Sequence, residues 1–382
     1  MFFNKNNFSV ILLSLGLCSI LLFSSCKMSN KQLHRLQEME TGVSSPTTIE
    51  ELEDAIQKYS QRVDDVVESN AQIGIWYKMI ASRYLDKKMY GEALKNYQKA
   101  IEFYPTNQNL YYWVGVCGGL MAQSSLDYSG TGVNHQKMNY YRLAESAYLQ
   151  AIKLDNRFTR PMYGVSVLYV CELDESQKAI PYLEKLLTID TKDTKAMMLL
   201  ARAYYMSYDF DNAIDMLRNA ILMNRYNDEA FVDLGDIYME TDDLDSAIKS
   251  YCEAIKLNST KASTYNKCAM ALWQKDYVEE AIVACNKAIT TDSEYFAAYN
   301  NLGVIYLDGI RNLKEAKKLF KAAIGIKRDY VMAHFNLGRV YKEQGKFVEA
   351  AKCFQTALEL NEIEPELDSE DIRTRLFKLF EV

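Results

Sequence analysis

An all-α chain is expected here: a superhelical solenoid of helix–turn–helix repeats with N- and C-terminal capping helices. The first ground is the 34-residue stretch from Asp228 to Lys261. Numbered from 1, it places Phe231, Leu234, Gly235 and Tyr238 at positions 4, 7, 8 and 11, and Ala247, Tyr251 and Ala254 at 20, 24 and 27. Each set falls on one face of a helix, because residues three and four apart share a side. Thr241-Asp242-Asp243 between the two sets is a polar turn. Such a unit cannot bury its apolar stripe alone and needs copies of itself on either side. The second ground is that the copies are present along most of the chain. The third is that only 5 Pro and 16 Gly interrupt 382 residues, few enough for long runs of helix.

The chain opens with Lys5, an apolar run from Phe8 to Phe23, and Ser24-Ser25 before Cys26. The run is short of the roughly 20 apolar residues that a spanning helix needs, and residues 1–25 read as a secretory signal. Leu22-Phe23-Ser24-Ser25-Cys26 resembles a bacterial lipoprotein signal, although Phe23 stands where that pattern usually has Leu. The resemblance implies that Cys26 is lipidated and becomes the mature N-terminus, so that the chain meets a membrane through an N-terminal lipid. Two or more acyl chains anchor stably, at about 0.8 kcal/mol per buried CH2. Lys27 follows the cysteine, not Asp, which by the same resemblance implies the outer membrane, with the remaining chain facing the periplasm. Residues 26–47 are polar, without a sustained apolar stripe, and form a tether. Residues 48–70 are the N-terminal capping helix. Thr48-Ile49-Glu50-Glu51 is a capping box, and Ile49, Leu52, Ile56, Tyr59, Val63 and Val67 make one stripe.

Residues 74–364 hold about eight repeats. Repeat one carries Tyr77, Ile80, Ala81 and Tyr84, then Ala93, Tyr97 and Ala100. Repeat two opens with Tyr111, Val114 and Gly115 and closes with Ala144, Tyr148 and Ala151, the two halves separated by an insertion over residues 122–142. That insertion reads either as a tolerated loop or as an arm formed by extending both helices. Its Ser129-Gly130-Thr131-Gly132 lacks the Lys-Ser/Thr end of a phosphate loop. Repeat three is degenerate, with Met162, Val165, Ala179 and Leu183, and Pro181 near the start of its second helix. Repeats four to eight begin at Thr194, Asp228, Ala262, Phe296 and Val331, and repeat seven has one extra residue near Gly309. Residues 368–382 make the C-terminal capping helix, started by Asp368 or Ser369, with Ile372, Leu376, Leu379 and Phe380 on one stripe.

The pattern of aromatic, Leu, Gly and Tyr followed by Ala, aromatic and Ala resembles the tetratricopeptide repeat. That resemblance implies a groove lined by the first helix of each unit, with positions 2, 5, 6, 9 and 12 projecting into it. Those positions give Lys195, Arg202 and Tyr205 in repeat four, and Asn266, Lys267 and Trp273 in repeat six. They give Asn300 and Asn301 in repeat seven, and Asn336, Arg339 and Lys342 in repeat eight. The successive asparagines resemble ladders with which some members of the family hold an extended peptide, since an amide both donates and accepts. The arginines add pairing to carboxylates. The carboxylate clamp of other members is not matched: Lys78 is followed by Ser82 and Trp113 where that clamp wants asparagines.

The formal net charge of −7 and the lack of a basic run with interleaved aromatics argue against nucleic acid. No Cys/His metal spacing, nucleophile elbow or dinucleotide fingerprint is present. Cys268 and Cys285 occupy core positions and read as small buried hydrophobes. The expectation is therefore a membrane-anchored scaffold, not an enzyme, with no cofactor and no metal. It binds a protein or peptide in its groove and serves assembly of an envelope complex. The alternative is a periplasmic ligand-handling lipoprotein serving a transporter, which needs an enclosed, largely apolar pocket roofed by the insertion.

Overall fold

Eight alanines, Ala93, Ala144, Ala179, Ala213, Ala247, Ala281, Ala316 and Ala350, one in each second helix and all but Ala144 at its fourth residue, are all 0% exposed. They mark the places where backbones approach most closely, and the helices pair around them. The computed structural model describes residues 71–125, 135–363 and 365–379. The expectations for Cys26, the tether and the N-terminal capping helix lie outside the described residues, as do Ser129 to Gly132 and Phe380.

The described residues form paired helices, with no strand among them. Repeat one is α1 (71–86) and α2 (Tyr90–Phe103), and repeat two is α3 (Gln108–Ser124) and α4 (His135–Leu154). Repeat three is α5 (Thr159–Val167) and α6 (Ser176–Ile189), and repeat four α7 (Thr194–Met206) and α8 (Phe210–Met223). Repeat five is α9 (Asp228–Glu240) and α10 (Leu244–Leu257), and repeat six α11 (Ala262–Gln274) and α12 (Val278–Thr291). Repeat seven is α13 (Phe296–Val304) and α14 (Leu313–Ile326), and repeat eight α15 (Val331–Glu343) and α16 (Phe347–Ile363). The last helix is α17 (Ser369–Phe377).

The core is a series of interfaces between successive helices. Tyr97, Tyr251, Phe320 and Phe354 are each 2% exposed or less, and burying an aromatic of this kind contributes about 1.5–3 kcal/mol. Cys268 and Cys285 are buried with them, whereas Cys171 is exposed. Turns between the first and second helix of a unit are tight. Lys88, Asp174, Tyr208, Asp242, Asp276, Arg311 and Gly345 all have positive φ there, the usual way for a chain to leave a helix end.

Repeats three and seven depart from the common form. Each first helix ends in a wide π turn, Leu168–Glu172 and Ile305–Gly309, closed by the Leu173 and Ile310 amides donating to the Leu168 and Ile305 carbonyls five residues back. The extra residue of repeat seven therefore widens the helix rather than lengthening the loop. The gain is burial: Ile305 and Leu307 are 0% and 1% exposed, and the added residue keeps both inward before the turn. Pro181 sits at the sixth residue of α6, one turn deeper than the helix start where proline costs nothing.

In repeat two the flanks of the insertion are helical. α3 has 17 residues and α4 has 20, against 13 and 14 in repeat five. The early part of α4 is bound to repeat three. The Tyr141 hydroxyl donates to Glu172, Arg142 pairs with Glu175 at 2.8 Å, and Tyr169 donates to Glu145 at 2.8 Å.

At the C-terminal end Asp368 caps α17, accepting from the Glu370 amide at 2.9 Å. Ile372 and Leu379 are buried against Phe335 and Phe354. Asn361, 2% exposed, fixes the turn into α17. Its carbonyl accepts from the Glu366 and Leu367 amides at 2.7 and 2.9 Å, and its amide donates to the Leu367 carbonyl at 2.7 Å.

Candidate peptide-binding groove

Positions 5, 6, 9 and 12 of the first helices in repeats four to six surround a cavity of about 590 Å³ between α7, α9 and α11. Arg202 and Tyr205 come from α7, and Asp233, Asp236, Met239 and Glu240 from α9. Asn266, Lys267 and Met270 come from α11, and Tyr251 of the second helix of repeat five also lines the space.

The polar groups there are not equivalent. Asp236 pairs with Lys267 and accepts from the Tyr251 hydroxyl at 2.7 Å. Burial, then the Asp236 charge, drives the Tyr251 hydroxyl far above its ordinary pKa, so it stays a donor. Asp233, one turn earlier, accepts no hydrogen bond and forms no ion pair among the described residues. Burial first, and then the Asp236 charge, pushes its carboxyl up to about 6, against the pull of Lys267 and Arg202. Arg202 is exposed at the mouth.

The asparagines of repeats six to eight form a chain of their own. Arg339 donates to Asn336 at 3.2 Å, Asn336 to Asn300 at 3.1 Å, Asn300 to Asn301 at 3.3 Å, and Asn301 to Asn266 at 3.0 Å. Arg339 also pairs with Asp308 at 2.8 Å. Asn300 and Asn336 are 1% and 3% exposed. The expected ladder for a peptide is thus turned inward. These amides satisfy one another across α11, α13 and α15, where Asn266, Asn300 and Asn336 are buried and need partners.

The expected groove residues divide accordingly. Arg202, Tyr205, Asn266 and Lys267 meet at the cavity. Asn300, Asn301, Asn336 and Arg339 extend from Asn266 as the internal chain. Trp273 packs its ring on Gly309, where a Cβ would lie 2.7 Å from it. Lys195 lines a separate hollow of about 190 Å³ with Arg160, Tyr163 and Asp193. Lys342 is exposed on α15. Asp233 and Asp236 were not singled out from the sequence, although they hold positions 6 and 9 of repeat five, and the spacing rule applied to the other units finds them. Among the described residues no group of three or more His, Cys, Asp and Glu is placed to hold a metal ion.

Comparison with known families decides what the repeats are. Models of the tetratricopeptide repeat match residues 262–295, 296–330 and 331–362, and a TPR repeat model matches residues 235–276. The chain is a tetratricopeptide-repeat (TPR) protein. A TPR repeat-containing protein of Borreliella burgdorferi is 27% identical over 198 residues, covering 50% of this chain and 84% of that relative. Two crystal structures share the fold. A TPR protein from Parabacteroides merdae superposes with a TM-score of 0.52 at 16% identity, over 70% of this chain and 99% of the other. Yeast Tom70 does so with a TM-score of 0.52 at 14% identity, over 76% of this chain and 59% of its own.

Proposed function

We propose that this TPR chain is a membrane-anchored scaffold that holds a segment of another protein in the groove of repeats four to six, and that it aids assembly of a bacterial envelope complex. The observation that carries the reading is the cavity between α7, α9 and α11, whose lining combines apolar walls with the exposed guanidinium of Arg202 and the unpaired carboxylate of Asp233. A bound segment gains burial from Tyr205, Met239 and Met270 and orientation from the charges. The cavity stands on repeats four to six, and its charged lining suits a polypeptide better than the enclosed apolar pocket of a small-molecule carrier. Anchoring rests on Cys26 and the signal before it, with lipid in the outer membrane and the repeats in the periplasm. The reading involves no catalysis: of the ionisable groups at the cavity Asp236 and Lys267 pair with each other, and the lining holds no Ser, Cys or His to act as nucleophile or base.

The test has two parts. Metabolic labelling with a fatty-acid analogue is expected to tag the wild-type chain and not Cys26→Ser; equal labelling of both rejects the anchor. Crosslinking in envelope extract is expected to capture one protein that Arg202→Glu/Tyr205→Ala loses. Capture that survives that change rejects the groove.

A further inference from the structure

We infer that the cavity of repeats four to six is a specificity pocket for a basic side chain, taking a lysine or arginine of the bound segment onto Asp233. The inference rests on the groove reading above and names what the groove selects.

The charged groups facing the pocket are Arg202, Asp233, Asp236, Glu240 and Lys267. Asp236 and Lys267 neutralise each other, and Tyr251 takes a further lone pair of Asp236 at 2.7 Å. That leaves Asp233 and Glu240 against Arg202. Of these, Asp233 is half-buried between the helices, while Arg202 and Glu240 are exposed at the mouth. A half-buried carboxylate without a donor is partly desolvated at a cost, and among the described residues nothing within hydrogen-bonding reach relieves it. Lys267 and Arg202 act on it only from a distance. An incoming ammonium or guanidinium supplies the missing donors, and the bond it forms is charge-assisted.

The walls fit the rest of such a side chain. Tyr205, Ile237, Met239 and Met270 line the pocket beside the acid, apolar surface for an alkyl stem to lie along. Met239 and Met270 adapt their shape, so the pocket accommodates either basic residue. A volume of about 590 Å³ lies within the usual size of ligand pockets, about 300–1,000 Å³, and leaves room for the neighbours of the basic residue. Arg202 at the mouth then meets a backbone carbonyl or an acidic neighbour of the segment.

The experiment selects from random twelve-residue peptides on the full-length chain and resynthesises the best binder. Lysine or arginine is expected at one fixed position of the enriched peptides. Changing it to norleucine, or changing Asp233→Asn in the protein, is expected to weaken binding about 10- to 100-fold, the worth of a hydrogen bond between charged groups. The two changes together are expected to lose no more than either alone. Enriched peptides without a fixed basic position, or losses that multiply when the changes are combined, overturn the pocket and leave the groove standing. No enrichment at all removes the groove and the pocket with it. The norleucine arm uses unaltered protein, so it decides the matter even if the variant misfolds.

Discussion

One methyl group added at Gly235 drives a carbon into the ring of Tyr251. Its Cβ would lie 2.4, 2.7 and 2.8 Å from Cε1, Cδ1 and Cζ of that ring, where unstrained carbons sit about 3.5–4.0 Å apart. The ring has to retreat by about 1 Å, and it has nowhere to go. Tyr251 is 1% exposed, packed with the buried Ala247, Cys268 and Ala271, and its hydroxyl is held 2.7 Å from Asp236. Overpacking of this kind costs about 1–3 kcal/mol, and loosening a bond to a carboxylate adds about 1.5–3 kcal/mol. Alanine returns about 1 kcal/mol through its better helix propensity. Gly235→Ala should therefore destabilise repeat five by about 2–4 kcal/mol. Gly325→Ala is the matched control: nothing lies within 4 Å of its added carbon, so only the propensity gain of at most about 1 kcal/mol remains. Native-state hydrogen exchange of the α9 and α10 amides reports the first change locally, and urea unfolding reports the second. If both alanines stabilise the protein, the argument that ring-on-backbone contact sets the spacing of the helices is refuted.

Asp233→Asn should stabilise the protein at pH 7, by on the order of 1–2 kcal/mol after allowance for solvent screening. The folded carboxyl titrates near 6, above its ordinary value of about 3.9. The folded state therefore binds the proton more tightly than the unfolded chain, and wild-type stability falls as pH rises from about 4 to about 6. Thermal melts of both proteins should converge at pH 4 and separate at pH 7; parallel curves contradict the assignment. Gly345, at φ +71°, should lose about 1 kcal/mol on change to Ala, since a Cβ is strained in that region, and a melting temperature that does not fall rules this out. Asn361→Ala strips the Glu366 and Leu367 amides of their acceptor and should cost about 2–4 kcal/mol. Protease cleavage within residues 365–379 should accelerate while the rest of the array stays protected, and uniform protection would show that the turn stands without it.

The repeats were legible in the sequence because their signal is redundant. Alanine near the start of the second helix, alanine again seven residues on and an aromatic or Leu between them recur often enough that Cys285 in place of an aromatic does not hide the unit. The face a residue occupies was legible too, since Arg202, Tyr205, Asn266 and Lys267 meet at one cavity. What they bond to was not. Asn300 and Asn336 stand at groove positions, yet their partners are 36 residues apart in sequence, and only the stacking of α13 on α15 tells whether an amide there meets a neighbour or a ligand. Asp233 was overlooked because an acid in a helix reads as solvated. Its unusual state arises from the walls that α7 and α11 place around it. The π turn of repeat seven hid for a related reason: one surplus residue can enter a helix or a loop, and burial of Ile305 and Leu307 decides between them.

The line from Arg339 to Asn266 also has a direction. A guanidinium can only donate, so Asn336 must present its carbonyl to Arg339 and its amide to Asn300. Asn300 and Asn301 are then oriented in the same sense in turn. Bonds aligned this way polarise one another, and no single amide can turn over unless its neighbours turn as well. Three repeats thereby share one polarity, written by a single arginine in the last of them.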